Sequence, residues 1–346
     1  MTESTTTPTF ESIPVIDVAS LSDAGGPTAE CIEQLGRAAQ DVGFLLLVNH
    51  GIGDDTFQAM HAATQEFFAL PEEAKNAVYI GTSTNHRGYV PIGEEVFAGA
   101  TPDLKEAFDL SYELPADHPA HVAGNPLLGP NQWPDVPGFR ERVSAYYDEV
   151  FGLGRSLFAA FARYLELDPE VFLSRVTEPP AQLRLIHYPY NPDAVDRPGI
   201  GAHTDYEAIT LLRPTAPGLE VMNGQGEWIE VPFREDALVV NIGDLLEVWT
   251  NGAFVATSHR VRKVSEERYS YPLFFTVDYD AVIEPMGHLG SADADYAPLH
   301  AGEHLFAQTA QSFAYLRRRV DAGELALPDG ARPLYSLGRE TSMVGG

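Results

Sequence analysis

The chain has 346 residues, 44% of them hydrophobic and 21% charged, which is the balance of an ordinary globular protein. Lysine and arginine number 22 against 50 aspartate and glutamate, a net charge of −28 at pH 7. Phosphate backbones and anionic lipid repel such a surface, so neither nucleic acid nor a membrane is expected as a partner. The single cysteine, Cys31, excludes an intramolecular disulfide.

Residues 1–11 are polar and Thr-rich, without the basic start and apolar centre of a signal peptide, and read as a flexible tail. No apolar run approaches a membrane span, so a cytoplasmic protein with no obligate protein partner is expected. Ile13–Asp17 reads as a short strand. Pro27 opens a helix to about Asp41, and Phe44–Val48 is a buried strand by its unbroken apolar run. Asp54 or Asp55 caps a helix from Thr56 to about Leu70, where Pro71 stops it. Residues 80–135 are rich in Gly, Pro and aromatic side chains. Their aromatic content argues for ordered loops that wall a pocket, with one strand at Leu104–Leu110. A long amphipathic helix follows from Gly138 to Glu166, its apolar stripe including Val143, Tyr146, Val150, Leu157 and Phe161. A short helix is expected at 169–175.

From Ala181 the texture changes. Apolar runs at Leu183–Tyr188, Ala208–Arg213, Leu219–Met222, Trp228–Val231, Ala237–Ile242, Leu245–Thr250 and Tyr269–Val277 are separated by turn signals such as Asn223-Gly224 and Asn251-Gly252. Closely spaced short strands mean an antiparallel sandwich or barrel, and the missing βαβ alternation disfavours a parallel sheet. A helix at about Ala301–Val320 ends the pattern.

Chemistry concentrates in Gly201-Ala202-His203-Thr204-Asp205. In extended chain, residues two apart share one side, so His203 and Asp205 can converge on one ion. His259, several strands later, can return across the mouth of a barrel. Two imidazoles and one carboxylate form the facial set that leaves positions open on non-haem iron, and a tetrahedral zinc site can use the same three. Arg268 and Ser270 share a strand face in the same way. They offer a two-point clamp for a carboxylate, or a structural ion pair.

These segments also carry a resemblance. His203-Thr204-Asp205 with Thr210-Leu211-Leu212, Asn241-Ile242-Gly243-Asp244, Ser258-His259-Arg260-Val261 and Arg268-x-Ser270 follow one another as in the isopenicillin N synthase-like family of iron(II)- and 2-oxoglutarate-dependent dioxygenases. Upstream, Ile13–Asp17, Gly43-Phe44, Asn49–Ile52 and Arg87-Gly88-Tyr89 are similar too, so the resemblance spans roughly residues 12–280. It implies a mainly β protein with flanking helices, a double-stranded β-helix (jelly-roll) core and a helical N-terminal cap. Residues 12–346 would form one oxygenase domain. Within it, 12–180 caps the site, 181–280 is the core with the metal, and 281–346 is a C-terminal helix and tail.

By the same resemblance His203, Asp205 and His259 look like the ligands of Fe(II). Arg268 and Ser270, with Tyr188 of the Tyr188-Pro189 pair, look like the holders of 2-oxoglutarate. Many members have Asn where Ile186 stands and Tyr where His187 stands. Arg87, Tyr89 and Phe275 are expected to face the substrate. The implied reaction uses Fe(II), 2-oxoglutarate and O2 to hydroxylate or desaturate a small molecule of secondary metabolism, releasing succinate and CO2. The alternatives are an iron oxidase of the isopenicillin N synthase type that uses no keto acid, a non-catalytic carboxylate-binding barrel and a zinc hydrolase.

Overall fold

The computed structural model describes residues 9–23, 25–95, 105–190, 200–262, 266–290, 294, 296–329 and 331. In chain order the strands are β1 Val15–Asp17, β2 Phe44–Val48, β3 Gly88–Val90, β4 Glu106–Ser111, β5 Gln182–Tyr188, β6 Ile200–His203, β7 Ile209–Pro214, β8 Leu219–Met222, β9 Trp228–Glu230, β10 Leu238–Ile242, β11 His259–Val261, β12 Arg268–Phe275, β13 Val282–Ile283 and β14 Leu299–His300. The helices are α1 Ala29–Asp41, α2 Asp54–Phe68, α3 Glu72–Asn76, α4 Pro119–Val122, α5 Phe139–Tyr164, α6 Glu170–Leu173, α7 Asp244–Trp249, α8 Ala301–Ser312 and α9 Ala314–Asp321.

Eight strands form one sheet in the order β1-β2-β10-β7-β12-β5-β4-β3, and four form a second in the order β6-β11-β8-β9. The β1–β2 pair is parallel and the other pairings within these two sheets are antiparallel. The sheets meet face to face through Phe44, Leu46 and Val239 of the large one and Val221 of the small one. This is the jelly-roll arrangement with flanking helices. It covers the inner face of each sheet with the other.

The strands' period of two sorts side chains to opposite faces of the large sheet. On β12, Tyr269, Tyr271, Leu273 and Phe275 join the core beneath α1, α2 and α5, while Ser270, Pro272 and Phe274 line the cavity between the sheets. On β5, Leu183 and Leu185 face the helices, and Gln182, Arg184, Ile186 and Tyr188 face the cavity. Helix α5 follows the expected stripe, with Val143, Val150, Leu157, Phe158 and Phe161 fully buried. Gly154 in that stripe admits the ring of Phe275, which a β-carbon there would approach to 2.5 Å.

Several expectations are corrected. Leu245–Thr250 is not a strand but helix α7, because its first amides bond back to the preceding loop: Asp244 N–H to the Asp205 carbonyl at 2.8 Å and Leu245 N–H to that of Glu207 at 3.2 Å. All six residues of α7 are buried, and an apolar run buried all round carries no period to distinguish helix from strand. The C-terminal helix is split at Phe313, whose extended backbone bridges to Glu95. Gly53, rather than an aspartate, precedes α2, and Asp54 and Asp55 sit in its first turn, where negative charge favours the helix dipole. The tail is shorter than expected, since Phe10 is already packed against Val221 and Val239, while residues 1–8 lie outside the described residues. The strand expected at Leu104–Leu110 runs from Glu106 to Ser111, and Leu104 lies outside the described residues. No described helix is long and apolar enough to cross a membrane.

Candidate functional site

Strand β6 ends at His203 and strand β11 begins at His259, and the antiparallel register sets these two residues directly opposite each other. Their ring centroids are 4.3 Å apart. Asp205 follows two positions later in the loop and places Oδ1 at 3.6 Å from Nε2 of each histidine. The remaining polar atoms of all three are engaged elsewhere. His203 Nδ1 is 2.8 Å from the Gly201 carbonyl and His259 Nδ1 is 3.2 Å from that of Thr257. Those contacts fix the N–H on Nδ1 and leave each Nε2 lone pair facing Asp205. Asp205 Oδ2 accepts hydrogen bonds from Asn241 Nδ2 at 2.7 Å and from the Thr210 hydroxyl.

Burial pushes His259 down to about 4, so its imidazole is neutral. Burial acts to raise Asp205, but the two imidazoles and the bonds from Thr210 and Asn241 outweigh it and keep the carboxyl below its ordinary value. The result is one carboxylate oxygen and two imidazole nitrogens converging within 4.8 Å of one another. That donor set suits a divalent metal of intermediate hardness. Asn241 acts on it only through Asp205. Asn241→Ala is expected to weaken the binding of a divalent metal there by about 10–100-fold, the usual effect of losing an orienting partner. Anaerobic titration with Fe(II) checks this, and unchanged affinity would contradict it.

The loop beyond Asp205 is held from behind. Gly243 donates to the Ala208 carbonyl at 2.9 Å, and a β-carbon on Gly243 would come within 2.2 Å of the Glu207 carbonyl oxygen. Glu207 itself borders the cavity, and burial with the nearby Asp205 charge pushes its carboxyl up to about 8. Asp244, buried beside this loop, is raised well above the usual carboxylate range by burial.

Arg268, which is not itself among the residues lining the cavity, pairs between β12 and β5 with Tyr188, which is. Its guanidinium lies 4.3 Å over the Tyr188 ring, and Nη1 donates to the Pro217 carbonyl at 3.2 Å. The residue is 5% exposed, its Nε has no hydrogen-bond partner, and no carboxylate pairs with it among the described residues. A buried cation in that state needs an anion. Ser270, two positions along the same strand face, borders the cavity, as does Tyr188. Ile186 also borders it, while His187 points away and is held between Glu106 and Glu267 at 2.9 Å each.

Three expected substrate residues are not brought here. Arg87 is 1% exposed and gives its Nη hydrogens to the carbonyls of Asn85, His86 and Leu127 at 2.6–2.9 Å, so it fastens a loop. Tyr89 donates to Glu106 at 2.6 Å in the core under the helices. Phe275 points from β12 into helix α5, meeting Phe158 edge-on at 4.8 Å, and its neighbour Phe274 takes the cavity side.

The cavity wall contains a charged cluster that sequence reasoning missed. Arg184 donates Nε and Nη2 to Asp109 at 2.8 Å each and Nη1 to Glu95 at 3.0 Å, and Lys105 Nζ reaches Glu95 at 3.1 Å. An arginine inside the apolar run Leu183–Tyr188 was the available signal, but its partners lie far away in sequence. The break at Phe313 closes this end of the cavity. Phe313 meets His86 edge-on at 4.5 Å, and Arg184 lies 5.2 Å over its ring.

Burial alone would raise Glu95, but Arg184 and Lys105 bring it from 4.5 to about 2. Because the folded value is depressed, the cluster's contribution to stability is complete above about pH 4.5 and is lost as the pH falls towards 2. Glu95→Gln should cost ~3 kcal/mol at pH 7, as expected for removing one partner of a buried ion pair. Its urea-unfolding midpoint should also change less than the wild type's between pH 5 and pH 3. Parallel acid profiles would contradict the pairing.

Comparison with known proteins agrees with this geometry. The family model of the 2OG-Fe(II) oxygenase superfamily matches residues 179–277, and that of the non-haem dioxygenase in morphine synthesis N-terminal region matches residues 13–136. The chain is 33% identical to a homoarginine-6-hydroxylase of Arabidopsis thaliana, over 88% of this chain and 98% of that protein. It is 35% identical to a 2-oxoglutarate-Fe(II) type oxidoreductase of Emericella nidulans, over 78% of this chain and 80% of that protein. Among solved structures, full-length Neurospora crassa T7H in complex with alpha-KG and thymine superposes with a TM-score of 0.73 at 28% identity, over 90% of this chain and 97% of that chain.

Proposed function

Because the chain belongs to the 2OG-Fe(II) oxygenase superfamily, we propose which of its residues carry the activity. The protein is an Fe(II)- and 2-oxoglutarate-dependent dioxygenase acting on a small molecule. His203, Asp205 and His259 hold the iron. The observation that carries this assignment is the convergence of three donor atoms whose companion atoms are each tied to the protein. Arg268 and Ser270 hold the far carboxylate of 2-oxoglutarate, and the Tyr188 ring supports the guanidinium. The buried, uncompensated charge of Arg268 supports that role.

Iron(II) with 2-oxoglutarate and O2 supplies oxidation of an unactivated C–H bond, the keto acid leaving as succinate and CO2. The chain's own residues do the positioning. Thr210 and Asn241 fix the Asp205 carboxylate, so that one oxygen stays available to the metal. Arg268 sets the reach of the keto acid across the cavity. The apolar wall of Ile186, Leu212, Pro272 and Phe274 excludes water and leaves room for the substrate beside the metal.

Homoarginine, named for the Arabidopsis relative, and thymine, present in the Neurospora complex, are small polar molecules bearing nitrogen-bound hydrogens. We propose hydroxylation of a substrate of that size and polarity. The test is 2-oxoglutarate turnover with Fe(II) and ascorbate against a panel of such molecules. Succinate release that rises with one of them and matches its oxidation is expected. Keto-acid loss that never couples to oxidation of any added molecule would contradict the proposal.

A further inference from the structure

Among the acids bordering the cavity, Glu207 is the one that no side chain answers. It is 7% exposed and lies two positions beyond Asp205. Asp205 is engaged by Asn241 and Thr210, Glu95 by Lys105 and Arg184, and Asp109 by Arg184, while Asp244, which keeps one buried oxygen without a partner, lies behind the loop and does not line the cavity. The Glu207 carboxyl receives no hydrogen bond from another described side chain, and its own backbone N–H is the donor that reaches it. Its backbone cannot withdraw, since its carbonyl accepts from Leu245 at 3.2 Å and the next residue, Ala208, donates to Phe275 at 3.1 Å. A buried carboxyl that no other side chain answers is costly to a fold, and such costs persist where a ligand repays them.

We propose, resting on the oxygenase reading above, that Glu207 is the substrate-anchoring residue, its carboxyl making a pair of hydrogen bonds with a planar nitrogen group: as a carboxylate it accepts two N–H hydrogens from a guanidinium or amidinium, and as a neutral acid it accepts one from a urea or ring amide and donates its O–H to that group's carbonyl. A carboxyl that no other side chain answers matches a planar nitrogen group better than a single hydroxyl. Because Glu207 and Asp205 share one short loop, a substrate fastened at Glu207 presents its neighbouring carbons to the metal ligands.

The test uses the full-length protein loaded anaerobically with Fe(II) and 2-oxoglutarate, and calorimetric titration with n-butylguanidinium, n-butylurea, valerate and butyl methyl ether. The guanidinium and the urea are expected to bind at least about tenfold more tightly than the other two, since a site built for N–H donors rejects analogues lacking them. Glu207→Leu should abolish that preference and leave 2-oxoglutarate affinity within about twofold, because the keto acid is held elsewhere. The leucine variant should melt at or above the wild-type temperature, because it replaces an unanswered buried acid with an apolar side chain of similar volume. Glu207→Asp, keeping the acid on a shorter arm, should show a reduced preference. Equal binding of all four probes by the wild type would overturn the proposal, as would a preference that survives in the leucine variant. A leucine variant that melts lower or fails to fold would assign Glu207 a structural role instead. Failure of 2-oxoglutarate to bind the wild type would strike the oxygenase site assignment, whereas the probe preference is measurable with Fe(II) alone.

Discussion

Asp205→Ala is expected to abolish iron binding and turnover together while the jelly roll stays folded. The substitution removes the one anionic donor of the triad, so the affinity loss should exceed the ~10–100-fold typical of residues that merely orient a ligand. Its effect on stability is a difference of opposing terms. Asn241 Nδ2 and the Thr210 hydroxyl lose their acceptor, a cost of about 1–3 kcal/mol for each buried group left unpaired. Against that, a buried carboxylate facing two imidazoles is no longer held without a metal. Metal content after anaerobic reconstitution, read beside the thermal melt, separates the two effects. Iron retained at the wild-type level would show that Asp205 is not a ligand.

Arg268→Ala is expected to act on the keto acid and leave iron in place. The guanidinium is buried, stacked on Tyr188 and lacks a carboxylate partner among the described residues. Truncating one member of a buried, hydrogen-bonded charge pair costs about 2–5 kcal/mol, which is roughly 30-fold to several-thousand-fold in the 2-oxoglutarate KM. If Arg268 binds the keto acid equally before and during reaction, kcat at saturating 2-oxoglutarate should fall far less than KM rises. Arg268→Lys should recover only part of the loss, because an ammonium replaces the planar fork with a point charge. A KM unchanged by Arg268→Ala would remove Arg268 from the clamp.

What was legible in the sequence followed from the period of a strand. The spacing of His203 and Asp205, and of Arg268 and Ser270, puts each pair on one side of an extended chain, and the structure sets His203, Asp205 and Ser270 around one cavity. The same rule, applied consistently, assigns Phe274 and not Phe275 to that cavity, because odd positions of β12 face the helices. Arg87 illustrates the opposite limit. Its three carbonyl partners belong to irregular loops, and no periodicity reports where a loop carbonyl points. Helix α7 misled because burial on every side erases the difference between helical and extended patterning. The Arg184 cluster draws on strands β4 and β5 and on residues 95 and 105, so only the folded topology brings its four charges together. The break at Phe313 has neither glycine nor proline to announce it, and it is set by pairing with Glu95.

The central claim is that one site holds iron through His203, Asp205 and His259 and receives 2-oxoglutarate through Arg268. Anaerobic titration of the Fe(II)-loaded protein with 2-oxoglutarate, followed by visible absorption, tests it most directly. A saturable charge-transfer band is expected in the wild type. In Arg268→Ala it should appear only at much higher keto-acid concentration, and in Asp205→Ala it should not appear. Stoichiometric iron with no band at any 2-oxoglutarate concentration in the wild type, or an undiminished band in Asp205→Ala, would contradict the account.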